Sequence, residues 1–338
     1  MIKTFRSLLL LCSLVVSVQA FVPASPLAQR LSSPLYATVE TDEDVQSEVT
    51  AKGLLKRDRY VATNRFTVRK GKAAKFEKRW ANRKSRLATL DGFKYFHLMR
   101  RVNLEEDGKT TYAEDSSDET FGNYVSFTIW EKKSHFSAWR KGSAFIEAHG
   151  GTSIGAFVST MVNSAMILKG APRPAFYDGL MLQAVPPANL PELVDGWRSV
   201  EADGENTLPV ECFVACNNFF VPPENAAAFE KRWADRESKL NECDGFVCFS
   251  MLRRDGQAKG HGTVPMSDTE ATYQSTTIWR DRQAFDGWRE GKAFGQAHGQ
   301  DQKKEGAPPK GPPGPLWSKP PQPVFYEGTL VITTSDGS

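Results

Sequence analysis

The hydrophobic pattern of this chain runs through it twice. From Arg59 to Val68 the residues alternate, with Tyr60, Ala62, Asn64, Phe66 and Val68 on one face. That period of two predicts a half-buried strand. Phe213, Ala215, Asn217, Phe219 and Val221 repeat the pattern. A helix is predicted over Lys72 to Leu87, with Phe76, Trp80 and Leu87 on one stripe. Asp91-Gly92 turns the chain into a second strand, Phe93 to Met99. A third strand follows over Tyr124 to Trp130, a second helix over about Lys133 to Ala148, a Pro-bearing loop, and a last strand over Phe176 to Leu182. The order β-α-β-β-α-β is that of a split-βαβ, ferredoxin-like unit. Both helices of such a unit cover the same face of its sheet, leaving the other bare. Two units can cover each other by closing into one barrel. The pattern therefore predicts an α+β chain of two ferredoxin-like repeats forming an intramolecular α/β-barrel pseudo-dimer.

Residue identities support the duplication. Phe76 to Ala81 recurs unchanged at Phe229 to Ala234, an offset of 153, and Asp91-Gly92-Phe93 recurs at the same offset. Thr128-Ile129-Trp130 recurs as Thr277-Ile278-Trp279, at 149. The offset changes in the polar loops near 101–122 and 254–271, where insertions are tolerated. A period this long signals domain duplication rather than a solenoid. The expected organisation is a signal peptide (1–20), a transit-like segment with a disordered acidic tail (21–57), a first domain (58–184), a linker (185–210) and a second domain (211–334).

Charge changes the picture only at the N-terminus. Lys3 and Arg6 precede an apolar run from Leu8 to Val18 and a small-residue exit at Ala20, which reads as a secretory signal too short to span a bilayer. No acid occurs before Glu40, so Phe21 to Ala37 reads as a transit-like extension. Ala20-Phe21-Val22-Pro23 resembles the bipartite presequence of algae with complex plastids, which implies a plastid location; plain secretion is the alternative. Lys3, Arg6 and Arg30 account for the whole net charge of +3, so the remainder is formally neutral, with no electrostatic footprint for nucleic acid. The mature protein is expected to be soluble, without a membrane segment. Five acids between Glu40 and Glu48 read as a disordered tail. Cys212, Cys216, Cys243 and Cys248 have no Cys counterparts in the first copy, which argues for free thiols.

Candidate chemistry lies in a second repeat-conserved stretch, F-x-x-W-R-x-G-x-A-F-x-x-A-H-G, at 136–150 and 285–299. It places Trp139 ten residues before His149, and Trp288 ten before His298. On an unbroken helix the two side chains would stand about 15 Å apart. Gly142 and Gly291 lie between them and can break it. Asn64 and Asn217 interrupt the apolar face of their strands, where Asn is depleted. Each is either a structural amide bonded to nearby backbone or a polar group presented to a cavity. The histidines have a plain role too, facing the dipole at a helix end. Trp80, Trp130, Trp233 and Trp279 read as packing residues.

With these residues in view, both repeats resemble the Isd-type haem-degrading monooxygenases of the antibiotic-biosynthesis-monooxygenase-like, dimeric α/β-barrel group. The resemblance implies His149 and His298 as haem-iron ligands. It implies Asn64 and Asn217 as donors beside the iron, and Trp139 and Trp288 as the indoles that distort the porphyrin. Haem would be cofactor and substrate together, opened oxidatively with release of iron. No flavin or nicotinamide signature occurs, so electrons would come from a small external donor, ferredoxin if the protein is in a plastid. With both halves in one chain, the mature protein is expected to be a monomer. Two other readings remain open: a cofactor-independent monooxygenase of quinone-like aromatics, and a non-catalytic haem-binding protein.

Overall fold

The computed structural model describes residues 42–83, 86–105, 109–113, 121–148, 153–184, 210–236, 238–256, 270–291, 295 and 315–333. Nine strands form one antiparallel sheet. They are β1 (Arg59–Phe66), β2 (Phe93–Leu104), β3 (Thr110–Tyr112), β4 (Tyr124–Trp130), β5 (Arg173–Ala184), β6 (Cys212–Phe219), β7 (Phe246–Arg254), β8 (Tyr273–Trp279) and β9 (Gln322–Thr333). The order is β3-β2-β4-β1-β5-β7-β8-β6-β9, and β9 pairs back onto β2. Each copy thus contributes four strands in ferredoxin-like order. The last strand of each copy pairs with the second strand of the other: Tyr177 opposite Arg254 at one seam, Val102 opposite Phe325 at the other. Eight strands close a barrel without an open edge, and β3 is a hairpin strand added outside it on β2.

Closure corrects the expectation of half-buried strands, because the barrel strands are covered on both faces over most of their length. Tyr60, Ala62, Phe66 and Val68 pack with Phe76, Trp130 and Phe136 under the first copy's helices. Val61 joins Val125, Phe127, Val214, Leu252 and Ile278 inside the barrel. Phe213, Phe219, Phe229, Trp279 and Phe285 form the second helix-side core. The alternation in β1 therefore separates aromatics facing helices from smaller residues facing the lumen, not core from solvent.

The described helices are α1 (Asp42–Ala51), α2 (Ala73–Ala81), α3 (Lys133–Lys141), α4 (Ser143–Ala148), α5 (Ile154–Ile167), α6 (Ala226–Ala234) and α7 (Arg282–Glu290). Several depart from expectation. Helix α2 stops at Ala81 rather than Leu87, and the turn at Asn82 folds Arg83 back over Trp80. The second helix breaks at Gly142, whose backbone is extended, into α3 and α4. Gly291 ends α7 in the same conformation, and a Cβ there would stand 2.9 Å from the Gly287 carbonyl. Helix α5 occupies what was expected to be a loop. The acidic tail is ordered in part: α1 buries Gln46, whose Oε1 accepts from the Arg57 N–H at 2.9 Å.

That N-terminal strap is held by one of two buried ionic clusters at the seams. Glu230 is fully buried and accepts from Arg253 at 2.9 Å, from the Tyr273 hydroxyl at 2.7 Å and from the Leu55 N–H, while Arg253 also reaches Asp178 at 3.0 Å. The first copy repeats the arrangement with Glu77, Tyr124, Arg100 and Glu327. Each cluster takes its second acid from the other copy, which keys the two halves together.

Candidate functional site

Two places could hold a ligand: the barrel lumen and the helix-side face of each copy. The lumen is too small. Its cavity measures about 40 Å³, against several hundred for a site enclosing a small organic molecule. Glu270 closes one end, paired with Arg65 at 3.0 Å and Arg254 at 3.5 Å. Deeper in, His97 is fully buried with its Nε2 3.3 Å from the Cys212 sulfur. Burial lowers the His97 pKa to about 3 and pushes the Cys212 thiol up, so both are neutral. The four cysteines of the second copy are free, as expected.

On the helix side, the cover over β1 has a gap. At one end Phe136 of α3 sits 5.5 Å from Tyr60. At the other, Phe76 and Trp80 of α2 sit 5.5 Å and 5.9 Å from Phe66. Ala62 and Asn64 lie between, and Asn64 stays half-buried. Its side chain makes no hydrogen bond among the described residues. The second copy is built alike. Phe285 covers Phe213 at 5.0 Å, Phe229 and Trp233 cover Phe219 at 5.3 Å and 5.7 Å, and Ala215 and Asn217 lie between. Asn217 is exposed and likewise unbonded, so the two floors differ in cover.

Trp139 stands on α3 against Trp130 at 5.5 Å and Phe145 at 5.0 Å, and is half-buried. Trp288 packs 5.4 Å from Trp279. A cleft of about 500 Å³ reaches Trp288, Gly287 and Gly291 without including Asn217. Trp130 and Trp279 are fully buried packing residues, as expected. His149 and His298 lie outside the described residues, as do the presequence and most of the linker. The breaks at Gly142 and Gly291 remove the 15 Å constraint that an unbroken helix would impose.

Sequence reasoning passed over one feature of each gap. Arg83 stands 4.7 Å over Trp80, and Arg236 stands 4.9 Å over Trp233. Neither guanidinium has an acidic partner among the described residues. Burial, with Arg79 nearby, lowers the Arg83 pKa to about 10, which leaves it a cation at neutral pH. Trp80 and Trp233, expected to be packing residues, stack on Phe96 and Phe249 and remain partly exposed. The repeat offset of 153, which also relates Arg83 to Arg236, is the signal that could have found them. On its helix side each copy thus has an apolar floor with an unbonded amide, indoles on the flanking helices, and a cation with no acidic partner among the described residues. Such a site suits a flat, largely apolar molecule carrying a carboxylate.

The antibiotic biosynthesis monooxygenase profile matches residues 59–151 and 212–300, one match in each copy. The staphylobilin-producing haem oxygenase of Staphylococcus haemolyticus (strain JCSC1435) is 33% identical over 110 residues, covering 32% of this chain and 91% of that enzyme. Among solved structures, one assigned to a monooxygenase from Fusobacterium nucleatum aligns over 82% of this chain and 96% of its own, with 10% identity and a TM-score of 0.48. An anthrone oxidase-like protein aligns over 83% and 95%, with 12% identity and a TM-score of 0.41.

Proposed function

The chain belongs to the antibiotic biosynthesis monooxygenase family, in a tandem, Isd-like form, and from that premise we propose that it binds haem on the helix side of each copy and opens the porphyrin oxidatively. The observation that carries this reading is the unbonded Asn64 amide in the gap between α2 and α3. The helices flanking it carry Trp80, with Arg83 over its ring, and Trp139, groups that suit a planar apolar ring with carboxylate arms. The S. haemolyticus relative is a haem oxygenase by name, which supports the same substrate class.

Each residue then has a task. His149 and His298 are the proposed iron ligands from their sequence positions, since a neutral imidazole suits haem iron. Asn64 and Asn217 present a hydrogen-bond donor without adding charge to an apolar site. Trp139 and Trp288 press on the ring plane. Arg83 and Arg236 pair with carboxylates at the rim. Bound haem supplies the iron at which oxygen is reduced, and is itself the molecule oxidised. Electrons come from an external donor, ferredoxin if the proposed plastid location holds.

The test is a haemin titration followed by reductant under air. A shifted Soret band that then decays into a bilin-like absorption is expected. Asn64→Ala with Asn217→Ala should keep the shift and slow the decay about 100-fold, the scale of losing one preorganised donor. Absence of any Soret shift would favour a cofactor-independent monooxygenase. A Soret band stable to reductant would leave only haem binding.

A further inference from the structure

Helix α5 carries no charged side chain along its fourteen residues. Val158, Val162 and Met166, spaced by four, form one stripe and are 51%, 53% and 49% exposed. Such a stripe on a surface helix calls for a cover. Beside α5 runs a belt of cations. Arg79 of α2 donates to the Ser164 hydroxyl at 3.1 Å, and Arg69 donates from Nε to the Leu168 carbonyl at 3.1 Å. Arg69, Lys70, Lys72, Lys75, Lys78 and Arg79 are all exposed, and Lys169 follows the helix. The one acid between residues 67 and 83, Glu77, is buried, and residues 153–173 contain none.

The second copy is an internal control. Where the first reads RKGKAAK from Arg69 to Lys75, the second reads PPENAAA from Pro222 to Ala228. Helix α6 forms all the same and packs Phe229 and Trp233 as α2 packs Phe76 and Trp80. The fold therefore does not require the cations preceding Phe76. They are concentrated in one part of a chain that, these cations included, is formally neutral beyond its presequence, so the remainder is net negative.

We propose that α5 and this belt form a docking face for an anionic lipid bilayer, on which the protein lies peripherally with its first copy toward the lipid. Val158, Val162 and Met166 would enter the boundary between headgroups and acyl chains while the cations meet the lipid charge. Lysine is depleted at the centre of protein–protein contacts, so a belt dominated by flexible lysines suits a fluid anionic surface better than a shaped partner. Docking of this kind needs no crossing, and no helix among the described residues is long and apolar enough to cross. Helix α5 begins five residues after His149 in the chain, so the face lies close in sequence to the first copy's proposed ligand. The second copy has no such belt before its Phe229, where Pro222 to Ala228 carry no cation.

The test is co-sedimentation of the full-length chain with phosphatidylcholine vesicles, with and without phosphatidylglycerol. The apolar leader at residues 8–18 is common to every variant, so variants are compared with one another. Wild type should bind the phosphatidylglycerol vesicles more tightly, and salt should weaken that binding. The triple variant Lys70→Gln, Lys72→Gln, Lys75→Gln should bind them about 100-fold more weakly, at about fivefold per cation. Val158→Asp with Val162→Asp should also lower binding, with near-UV circular dichroism unchanged. If the valine variant misfolds, the lysine variant alone decides, because its sites are exposed and neutral in the second copy. Unchanged binding by the lysine variant, or equal binding to both vesicle types, overturns the proposal. Self-association without vesicles that Val162→Asp abolishes would assign the face to a second copy of the chain, and also overturns it. Haem turnover is measured separately, so failure here leaves the haem reading untouched.

Discussion

Acidification from pH 7 to pH 5 is expected to destabilise this protein by about 2 kcal/mol through His97 alone. His97 lies in the lumen with Tyr95 at 5.6 Å between ring centroids, Cys212 at 3.3 Å, and Gly328 so close that any Cβ there would overlap the imidazole. Tyr95, Cys212 and Cys248 are all pushed up by burial, so they offer the imidazolium no countercharge. Burial lowers the His97 pKa from 6.5 to about 3. The sign follows from which state holds the proton. Below pH 6.5 the unfolded chain protonates this imidazole and the folded chain does not. Stability is therefore full above 6.5 and falls as the pH drops toward 3. At pH 5 the unfolded imidazole sits about 1.5 units below its own pKa, worth about 2 kcal/mol at 1.36 kcal/mol per unit. Denaturant unfolding of wild type and His97→Asn at both pH values isolates this contribution. The cavity cost of the substitution is the same at each pH and cancels, as do the other titrating groups. Wild type should lose about 2 kcal/mol more than the variant. Equal losses would refute the reasoning. The lumen would then admit a proton, and the case for placing the site outside it would weaken.

Glu230→Gln should cost about 3 kcal/mol in equilibrium unfolding, because it leaves Arg253 with one acid and the Leu55 N–H facing an amide; a cost under about 0.5 kcal/mol would place that cluster in water. If His149 and His298 each ligate one iron, wild type binds two haems, His149→Ala and His298→Ala one each, and the double variant none tightly. Wild-type turnover by the double variant, measured as Soret decay, would disprove that assignment. Static light scattering of the processed chain should give the mass of a monomer, since the β5–β7 and β9–β2 seams leave neither copy's barrel edge open; an obligate dimer would mean the copies pair between chains. N-terminal sequencing of native protein should begin between about residues 37 and 45, whereas a start at Phe21 would favour secretion over plastid import.

Much of the architecture was legible because the chain states it twice. Period-two and helical stripes recurring at offsets of 153 and 149 fixed element type, order and the need for mutual cover. Asn64 and Asn217 announced themselves as amides on apolar faces, and Gly142 and Gly291 as breaks between Trp and His. Local punctuation misled in three places. The prolines before the last strand suggested a loop, yet α5 forms ahead of them, kept by packing Ile167 and Leu168 against the core. The acids around Asp42 suggested disorder, yet Gln46 accepts from the Arg57 N–H and the Leu55 N–H anchors that segment to Glu230 of the second copy. Arg83 looked like another surface cation until the turn after Ala81 laid it on Trp80.

What the sequence determined by itself was periodicity, duplication and the unusual residues, since these depend only on neighbours along the chain. Which side of the sheet those residues serve was decided by tertiary structure. Both faces of β1 are covered, one by helices and one by the other copy, and no local pattern distinguishes the two covers. The gap over Asn64 exists because α2 reaches Phe66 and α3 reaches Tyr60, leaving Ala62 and Asn64 between. The greater exposure of Asn217 on an equivalent strand belongs to the same level. It depends on what packs around the strand from distant parts of the chain, and those parts are where the two copies differ.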